Sequence, residues 1–408
     1  MDDITGRQDI DASFKLRPSD LDHEFKIAPL AWHLGNLKAA ARRRLPRGIF
    51  DFIEGGSYDE DTLRANTADL SALRLRQRVL ATTPSRNQHT TILGQRASMP
   101  VALAPIGFTG VIYPRGEIHA AKAAQAFGVP YSLSTLSTCS IEEVAAAVPA
   151  PFFFQFYIFR DRAVNAALLQ RAEQAGCSAL MVTVDTAVHP RRNRDLDNGM
   201  TVPLKIRPRN IMRILMRPRW LAGWLRHRPT LANLAMFVPG GTDLGTVSLW
   251  AERNYKGAVG VADFEWVRRN WPRKLVVKGV LDPEDARLAI KLGADAIVVS
   301  NHGGRQLDGA NTTARAFPAI GDAVGDDAEL LFDSGVRSGL DVLKVLGLGA
   351  KGCLLGRPFV YGLAAHGEAG VTAALRLVAQ DLDQGMALTG VDDVNNLPPG
   401  LVIEPTRA

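Results

Sequence analysis

Cysteine is scarce in this chain: Cys139, Cys177 and Cys353 are the only three in 408 residues. They are far apart and odd in number, with no C-x-x-C pair and no histidine-rich tract beside them, which argues against a disulfide framework and against a structural zinc site. Also missing is any apolar run of about 18 residues, so no membrane-spanning helix is expected. The opening stretch MDDITGRQDIDASFK is polar and acidic and lacks the basic and apolar regions of a secretory signal. These absences set the expectation of a cytoplasmic core. Acidic residues are missing from one long stretch as well. None occurs between Asp197 and Asp243, where Lys205, Arg207, Arg209, Arg213, Arg217, Arg219, Arg226 and Arg228 fall, so the net charge of +6 is local rather than spread along the chain.

What is present is the balance of a folded chain with a large core, 46% hydrophobic and 22% charged. Eight short apolar, β-branched runs recur: VALAPIGF from Val101, YSLST from Tyr131, FFFQFY from Phe152, ALMVTVD from Ala179, KLVVKGV from Lys274, AIVVSN from Ala296, ELLFDSG from Glu329 and GCLLGR from Gly352. Between them lie helix-like segments such as RGEIHAAKAAQAF and DPEDARLAIKLG, with acidic first turns and glycine stops. Runs without polar alternation, separated by helices, read as a parallel sheet, and eight such units close a (β/α)8 TIM barrel. A doubly wound open sheet is the alternative, but no G-x-G-x-x-G follows the first run. The domain is expected over residues 31–397, with an N-terminal helical cap to about residue 75 (LGNLKAAARRRLPRGIFDFIEGG) and the barrel from about residue 100. Residues 1–30 read as an extension and 398–408 as a C-terminal tail. The long gap from Asp185 to Lys274 must hold an insertion after strand 4, over about 196–265.

In such barrels the chemistry lies at the carboxyl ends of the strands. There the chain places Ser134, Gln155 with Tyr157, Thr183 with Asp185, Lys278, Ser300 with His302, Asp333 with Arg337, and Arg357. Any one serine or threonine there is as readily a helix cap; polar residues ending strand after strand are not explained that way. SNHGGRQLDG sets His302 and Arg305 three residues apart in a glycine-rich loop. Histidine exchanges protons near neutral pH and a fixed arginine grips a carboxylate through two hydrogen bonds. DSGVRSG and LLGRPF offer glycine amides with Arg337 and Arg357, where barrels of this kind commonly hold phosphate. Lys278, on an otherwise apolar strand, needs a negative partner to be buried, and an anionic cofactor would supply one.

The combination VKGVLDPEDARLAIKLGADAIVVSNHGGRQLDG, DSGVRSG and LGRPF resembles the FMN-dependent L-2-hydroxy acid dehydrogenase/oxidase family, over about Leu30 to Leu397. MPVALAPIGFTG, LSTLSTCSIEEV and the basic insertion are most similar to its bacterial respiratory L-lactate dehydrogenase branch. The resemblance implies FMN as cofactor, with Pro105, Ile106 and Gly107 along the flavin ring and Ser134, Gln155 and Thr183 on its polar edge. It implies Lys278 where negative charge builds on the ring, Ser300 in contact with FMN and Asp333 on the ribityl hydroxyls. The phosphate falls to Gly335, Arg337, Gly356 and Arg357, with Ser334 and Val336 in the same segment. For an L-2-hydroxy acid substrate it implies Arg305 and Arg192 on the carboxylate and Tyr157 on the hydroxyl or keto oxygen. His302 is implied as the base, with Asp185 orienting it. Loss of the hydroxyl proton with hydride transfer and loss of the α-proton through a carbanion both fit these roles. The family also implies a homo-oligomer, a tetramer.

One position departs from the family pattern. Phe52, in LPRGIFDFIEGG, stands where the family carries a second active-site tyrosine, which removes a hydrogen bond to the carboxylate and suits a substrate larger or more apolar than lactate. The electron acceptor is expected to be a quinone or another respiratory carrier. An oxidase using O2 and a flavin-binding barrel impaired by Phe52 are the alternatives, and Gly107 resembles the dehydrogenases more than the alanine of oxidases. The basic insertion sets Trp220, Leu221, Trp224 and Leu225 among arginines, over 205–228, which favours a membrane surface over a solvated loop or nucleic acid. The expected location is therefore the cytoplasmic side of the inner membrane, held peripherally, or the cytoplasm.

Overall fold

A computed structural model describes residues 31–200 and 208–403. The expected extension over 1–30, together with Lys205 and Arg207, lies outside the described residues. All eight apolar runs form strands: β1 (Val101–Leu103), β2 (Ser132–Ser134), β3 (Phe153–Phe156), β4 (Ala179–Thr183), β5 (Lys274–Val280), β6 (Ala296–Val299), β7 (Glu329–Asp333) and β8 (Gly352–Leu355). They pair in parallel around one sheet, with β8 returning to β1. The ring closes between β1 and β2, where Leu103 bridges Tyr131 and its amide donates to the Pro130 carbonyl at 2.8 Å. The fold is a (β/α)8 barrel.

Side chains alternate between the faces of a strand, and here the alternation sorts the core into two shells. Ala102, Phe153, Met181, Val276, Val298, Leu331 and Leu354 fill the barrel interior. Their neighbours, such as Leu103, Phe154, Leu180, Leu275, Ile297 and Phe332, pack outward against the helices. Two residues beyond an interior residue the next interior position is reached, so Met181 leads to Thr183, Phe153 to Gln155, Val276 to Lys278, Val298 to Ser300 and Leu331 to Asp333. Strand parity alone brings the polar series to one end of the barrel.

Helices begin where acidic or hydroxyl side chains satisfy first-turn amides, as at Asp161, Asp282 and Ser338. The continuous helix-like stretch of the cap becomes two helices, α1 (Leu34–Arg44) and α2 (Arg47–Glu54). Pro46 forces the break, because the residue before a proline is driven to extended backbone and Leu45 adopts ψ 148°. A third helix, α3 (Asp61–Ala72), follows, and the loop after α2 lies over the β6 loop, where the Ser57 amide donates to the Gly304 carbonyl at 3.0 Å. At the opposite end, Ile92 and Leu93 enter the interior cluster and the Leu93 amide donates to Glu329. The last described residues, Val402 and Ile403, pair with Leu75 and Arg74.

The insertion carries α4 (Pro208–Leu215) and α5 (Pro218–His227). It is tied to the barrel through the Trp220 indole, which donates to the Val111 carbonyl at 2.8 Å, and through fully buried Asn233, which accepts from the Ile141 amide at 2.9 Å. Among the described residues no helix is long and apolar enough to cross a membrane.

Candidate active site

The floor of the barrel mouth is a hydrogen-bonded row across three strands. Ser134 donates to Gln155 Oε1 at 3.1 Å, and Gln155 Nε2 donates to Thr183 Oγ1 at 2.9 Å. All three side chains are buried. Because each is held by its neighbour, the row is rigid before any ligand arrives.

Beside it, Lys278 Nζ donates to Ser300 Oγ at 3.0 Å and to Asp333 Oδ2 at 2.9 Å, while Ser300 Oγ donates to the same carboxylate oxygen at 2.5 Å. The protein itself supplies Lys278 with a negative partner, Asp333, two strands away around the barrel. Burial pushes the Asp333 carboxyl upward, but Lys278 and the Ser300 hydrogen bond outweigh it and hold it below the usual aspartate range.

His302 sits in a left-handed conformation, φ 58°, with its amide donating to Ser300 Oγ at 2.9 Å. That turn aims the ring at Asp185, with Nδ1 at 3.0 and 3.2 Å from the two carboxylate oxygens. The proton therefore belongs on Nδ1, and Nε2, without a protein partner among the described residues, is left as an acceptor. Asp185 comes close because Gly279 lies beside it: φ there is 107°, and a Cβ would stand 2.5 Å from Asp185 Cγ. Gly279 is also where β5 slips its register against β6 between Lys278 and Val280.

Arg305 Nη1 donates to the carbonyls of Phe52 at 2.7 Å and Gly55 at 2.8 Å, and its guanidinium lies 5.0 Å from the centroid of the Phe52 ring. Phe52 meets Phe108 edge-on at 6.1 Å. Arg192 Nη2 reaches the Arg305 carbonyl at 3.4 Å, and its Nε is buried without a partner among the described residues. Burial, then Arg192 and Arg357, push the Arg305 pKa well down; burial lowers that of Arg192 too. Buried Asp195 pulls against both shifts, yet among the described residues neither arginine has a carboxylate within salt-bridge distance. Positive charge is thus held here without full neutralisation, which is the environment that binds an anion.

Arg357 donates to three carbonyls, those of Ile53, Gly303 and Gly55, and fastens the cap to the β6 loop. Burial and neighbouring Arg337 lower its pKa to about 10. Arg337 Nη1 donates to the adjacent Val336 carbonyl at 2.9 Å. Between these cations run Ser334 and Gly335, both with positive φ, and the Gly303 amide donates to Ser334 Oγ. Across the mouth, Pro105, Ile106 and Gly107 are half-buried, and a Cβ on Gly107 would press on Leu136 at 3.1 Å.

Sequence reasoning missed Tyr255 and His189. The Tyr255 ring meets Tyr157 at 5.5 Å and His189 at 5.4 Å, and its hydroxyl makes a short hydrogen bond with Thr186. Burial pushes the Tyr255 hydroxyl up to about 12 and raises that of Tyr157 further, so both stay protonated. His189 lies three residues before Arg192, as the first residue of HPRRNRD. Tyr255 carried no local signal, since it belongs to the insertion and is held at the mouth by contacts distant in sequence, with Phe159, Arg160 and Thr186.

The family of FMN-dependent dehydrogenases matches residues 41–404 of the chain. An L-lactate dehydrogenase of Caulobacter vibrioides is 47% identical over 371 residues, covering 90% of this chain and 97% of that protein. Among solved structures, the monotopic membrane protein (S)-mandelate dehydrogenase superposes with a TM-score of 0.88 at 34% identity, over 91% of this chain and 99% of that one. A mandelate oxidase structure gives a TM-score of 0.75 at 37% identity, over 89% and 96%.

Proposed function

Because this chain belongs to the FMN-dependent dehydrogenase family, we propose that its barrel mouth oxidises an L-2-hydroxy acid to the 2-keto acid with His302 as the base. It is an FMN-dependent enzyme of the L-lactate dehydrogenase kind. The observation that carries the proposal is one arrangement: a histidine held by a carboxylate through Nδ1, facing a pair of incompletely neutralised arginines.

The residues present fit FMN. The rigid row of Ser134, Gln155 and Thr183 suits the polar edge of the ring, and the half-buried strip Pro105–Ile106–Gly107 suits its face. We assign Asp333 and Ser300 to the ribityl chain, and Ser334, Gly335, Val336, Arg337, Gly356 and Arg357 to the phosphate, whose charge would relieve the repulsion between Arg337 and Arg357. When bound, FMN accepts the two electrons of the reaction. Lys278 provides positive charge there without being an unpaired buried ion.

Arg305 and Arg192 bind the substrate carboxylate, and the Tyr157 hydroxyl, kept protonated, donates to the reacting oxygen. His302 Nε2 takes the substrate proton, from hydroxyl or α-carbon, and Asp185 stabilises the imidazolium that forms. Phe52 and Phe108 present apolar surface beside Arg305, which fits lactate-like acids with larger apolar side chains. The electrons leave to a quinone or other respiratory carrier at a membrane surface. Supporting this are the exposed hydrophobics Ile211, Met212, Leu215, Met216 and Leu225 among the arginines of α4 and α5, and the likeness to a monotopic membrane protein.

The test is anaerobic bleaching of the yellow protein. L-Lactate or L-mandelate should reduce the wild-type flavin, and His302→Gln should keep its colour while bleaching at least roughly a hundredfold more slowly. Failure of a panel of L-2-hydroxy acids to bleach the wild type would overturn the activity, and normal bleaching of His302→Gln would overturn the base. Repeating turnover with a soluble quinone and with O2 separates dehydrogenase from oxidase.

A further inference from the structure

A second cavity, of about 260 Å3, lies away from the barrel mouth, between α5, the end of α1 and the segment after β1. Six of its lining residues carry or can carry positive charge: Arg44, Arg115, His119, Arg219, Arg226 and His227. Their neutralisation is incomplete. Arg115 meets Glu143 at 3.3 Å and His119 meets Glu368 at 3.4 Å, both long contacts on part-exposed side chains. Arg44, Arg219 and Arg226 have no carboxylate within 4.0 Å among the described residues. Arg44 is instead held over the Tyr113 ring, 4.9 Å from its centroid, with one nitrogen donating to the Ala365 carbonyl at 3.1 Å.

The cavity is built, not a chance gap between mobile chains. Its α5 wall is fixed by Trp220, which is buried and donates to the Val111 carbonyl, and by Gly223, where a Cβ would stand 2.8 Å from Pro114. On α5, positions 219, 220, 223, 226 and 227 follow helical spacing, so one face of the helix supplies Arg219, Arg226 and His227 together. Such convergence of guanidinium groups recognises phosphate, through forked hydrogen bonds as well as charge. On α5 itself Leu225 is 52% exposed, and just before it Leu215 at the end of α4 and Met216 in the connecting turn are each 57% exposed. A soluble phosphate would have no use for exposed apolar side chains beside its site, whereas a phospholipid engages both.

We propose that this cavity binds the phosphate headgroup of a single anionic phospholipid, so that α5 recognises one lipid molecule rather than responding only to the general negative charge of a surface. The proposal rests on the membrane reading given above. It supplies what that reading lacks, a defined site with headgroup selectivity. A cavity of this size accommodates a phosphate with a small polar substituent such as glycerol and excludes the bulk of the acyl chains.

The experiment uses the full-length FMN-loaded protein and vesicles of phosphatidylcholine, with and without phosphatidylglycerol. Arg219→Gln/Arg226→Gln removes two charges from the cavity. Arg42→Gln/Arg43→Gln removes two from the exposed face of α1, outside it. Both should retain flavin and substrate bleaching, which confirms folding. Affinity for the phosphatidylglycerol vesicles should fall about tenfold further in the cavity variant than in the charge-matched control, and millimolar glycerol 3-phosphate should compete in the wild type but not in the cavity variant. Equal losses in the two variants would mean diffuse attraction and overturn the site. Tight glycerol 3-phosphate binding with no preference for anionic vesicles would make it a soluble-anion site and overturn the lipid assignment. If wild type binds no vesicle, the membrane reading itself falls.

Discussion

Phe52 shows how one side chain alters a site without dismantling it. Its ring offers no hydroxyl, yet the carbonyl of the same residue holds Arg305, and the ring carries the guanidinium on its face. Arginine orientation is therefore kept by backbone and cation–π contact, the latter worth about 0.5–2 kcal/mol. A phenyl ring gives no donor to the substrate carboxylate in the proposed pose. Phe52→Tyr should supply one and lower the KM for L-lactate by about fivefold, the equivalent of about 1 kcal/mol. The kcat/KM ratio of L-mandelate to L-lactate should fall in parallel. No change in either constant would show that Phe52 does not face the substrate. Legibility differed residue by residue. His302 and Arg305 stood out because a glycine-rich loop concentrates them, whereas the pairing of Lys278 with Asp333 was not legible, since the two are 55 residues apart in the chain.

The eight strands were legible because buried parallel strands are written as continuous apolar runs, and the register of the polar ends follows from their period of two. The irregularities were less so. Pro46 cuts the cap helix in two, and the slip after Lys278 turns β5 so that Gly279 and Asp185 share one space. Gly279→Ala tests that element. A side chain at φ 107° with Cβ overlapping Asp185 should cost about 2 kcal/mol or more in strain. The melting temperature should drop by several degrees, and bleaching by substrate should slow more than FMN binding weakens, because displacement of Asp185 unseats His302. Unchanged bleaching at a lowered melting temperature would separate Gly279 from the base.

At the scale of the molecule, the insertion gives a catalytic barrel a second surface. Leu215→Ser/Met216→Ser/Leu225→Ser changes exposed side chains only, so the core and the flavin chemistry should be untouched while affinity for anionic vesicles falls by roughly tenfold or more, as expected for losing partial apolar burial. Retention of full vesicle affinity would remove those side chains from the contact. The amino-acid sequence by itself determined the barrel and the end of it where polar residues gather, because both are encoded in apolar runs and strand parity, and its short loops set His302 and Arg305 close together. Only the tertiary structure decided which charges neutralise one another, that Tyr255 packs between Tyr157 and His189, and that α5 walls a cationic cavity. Those features depend on residues tens to hundreds of positions apart, and Coulomb and hydrogen-bond energies are set by distance in space, which no local pattern in the chain records.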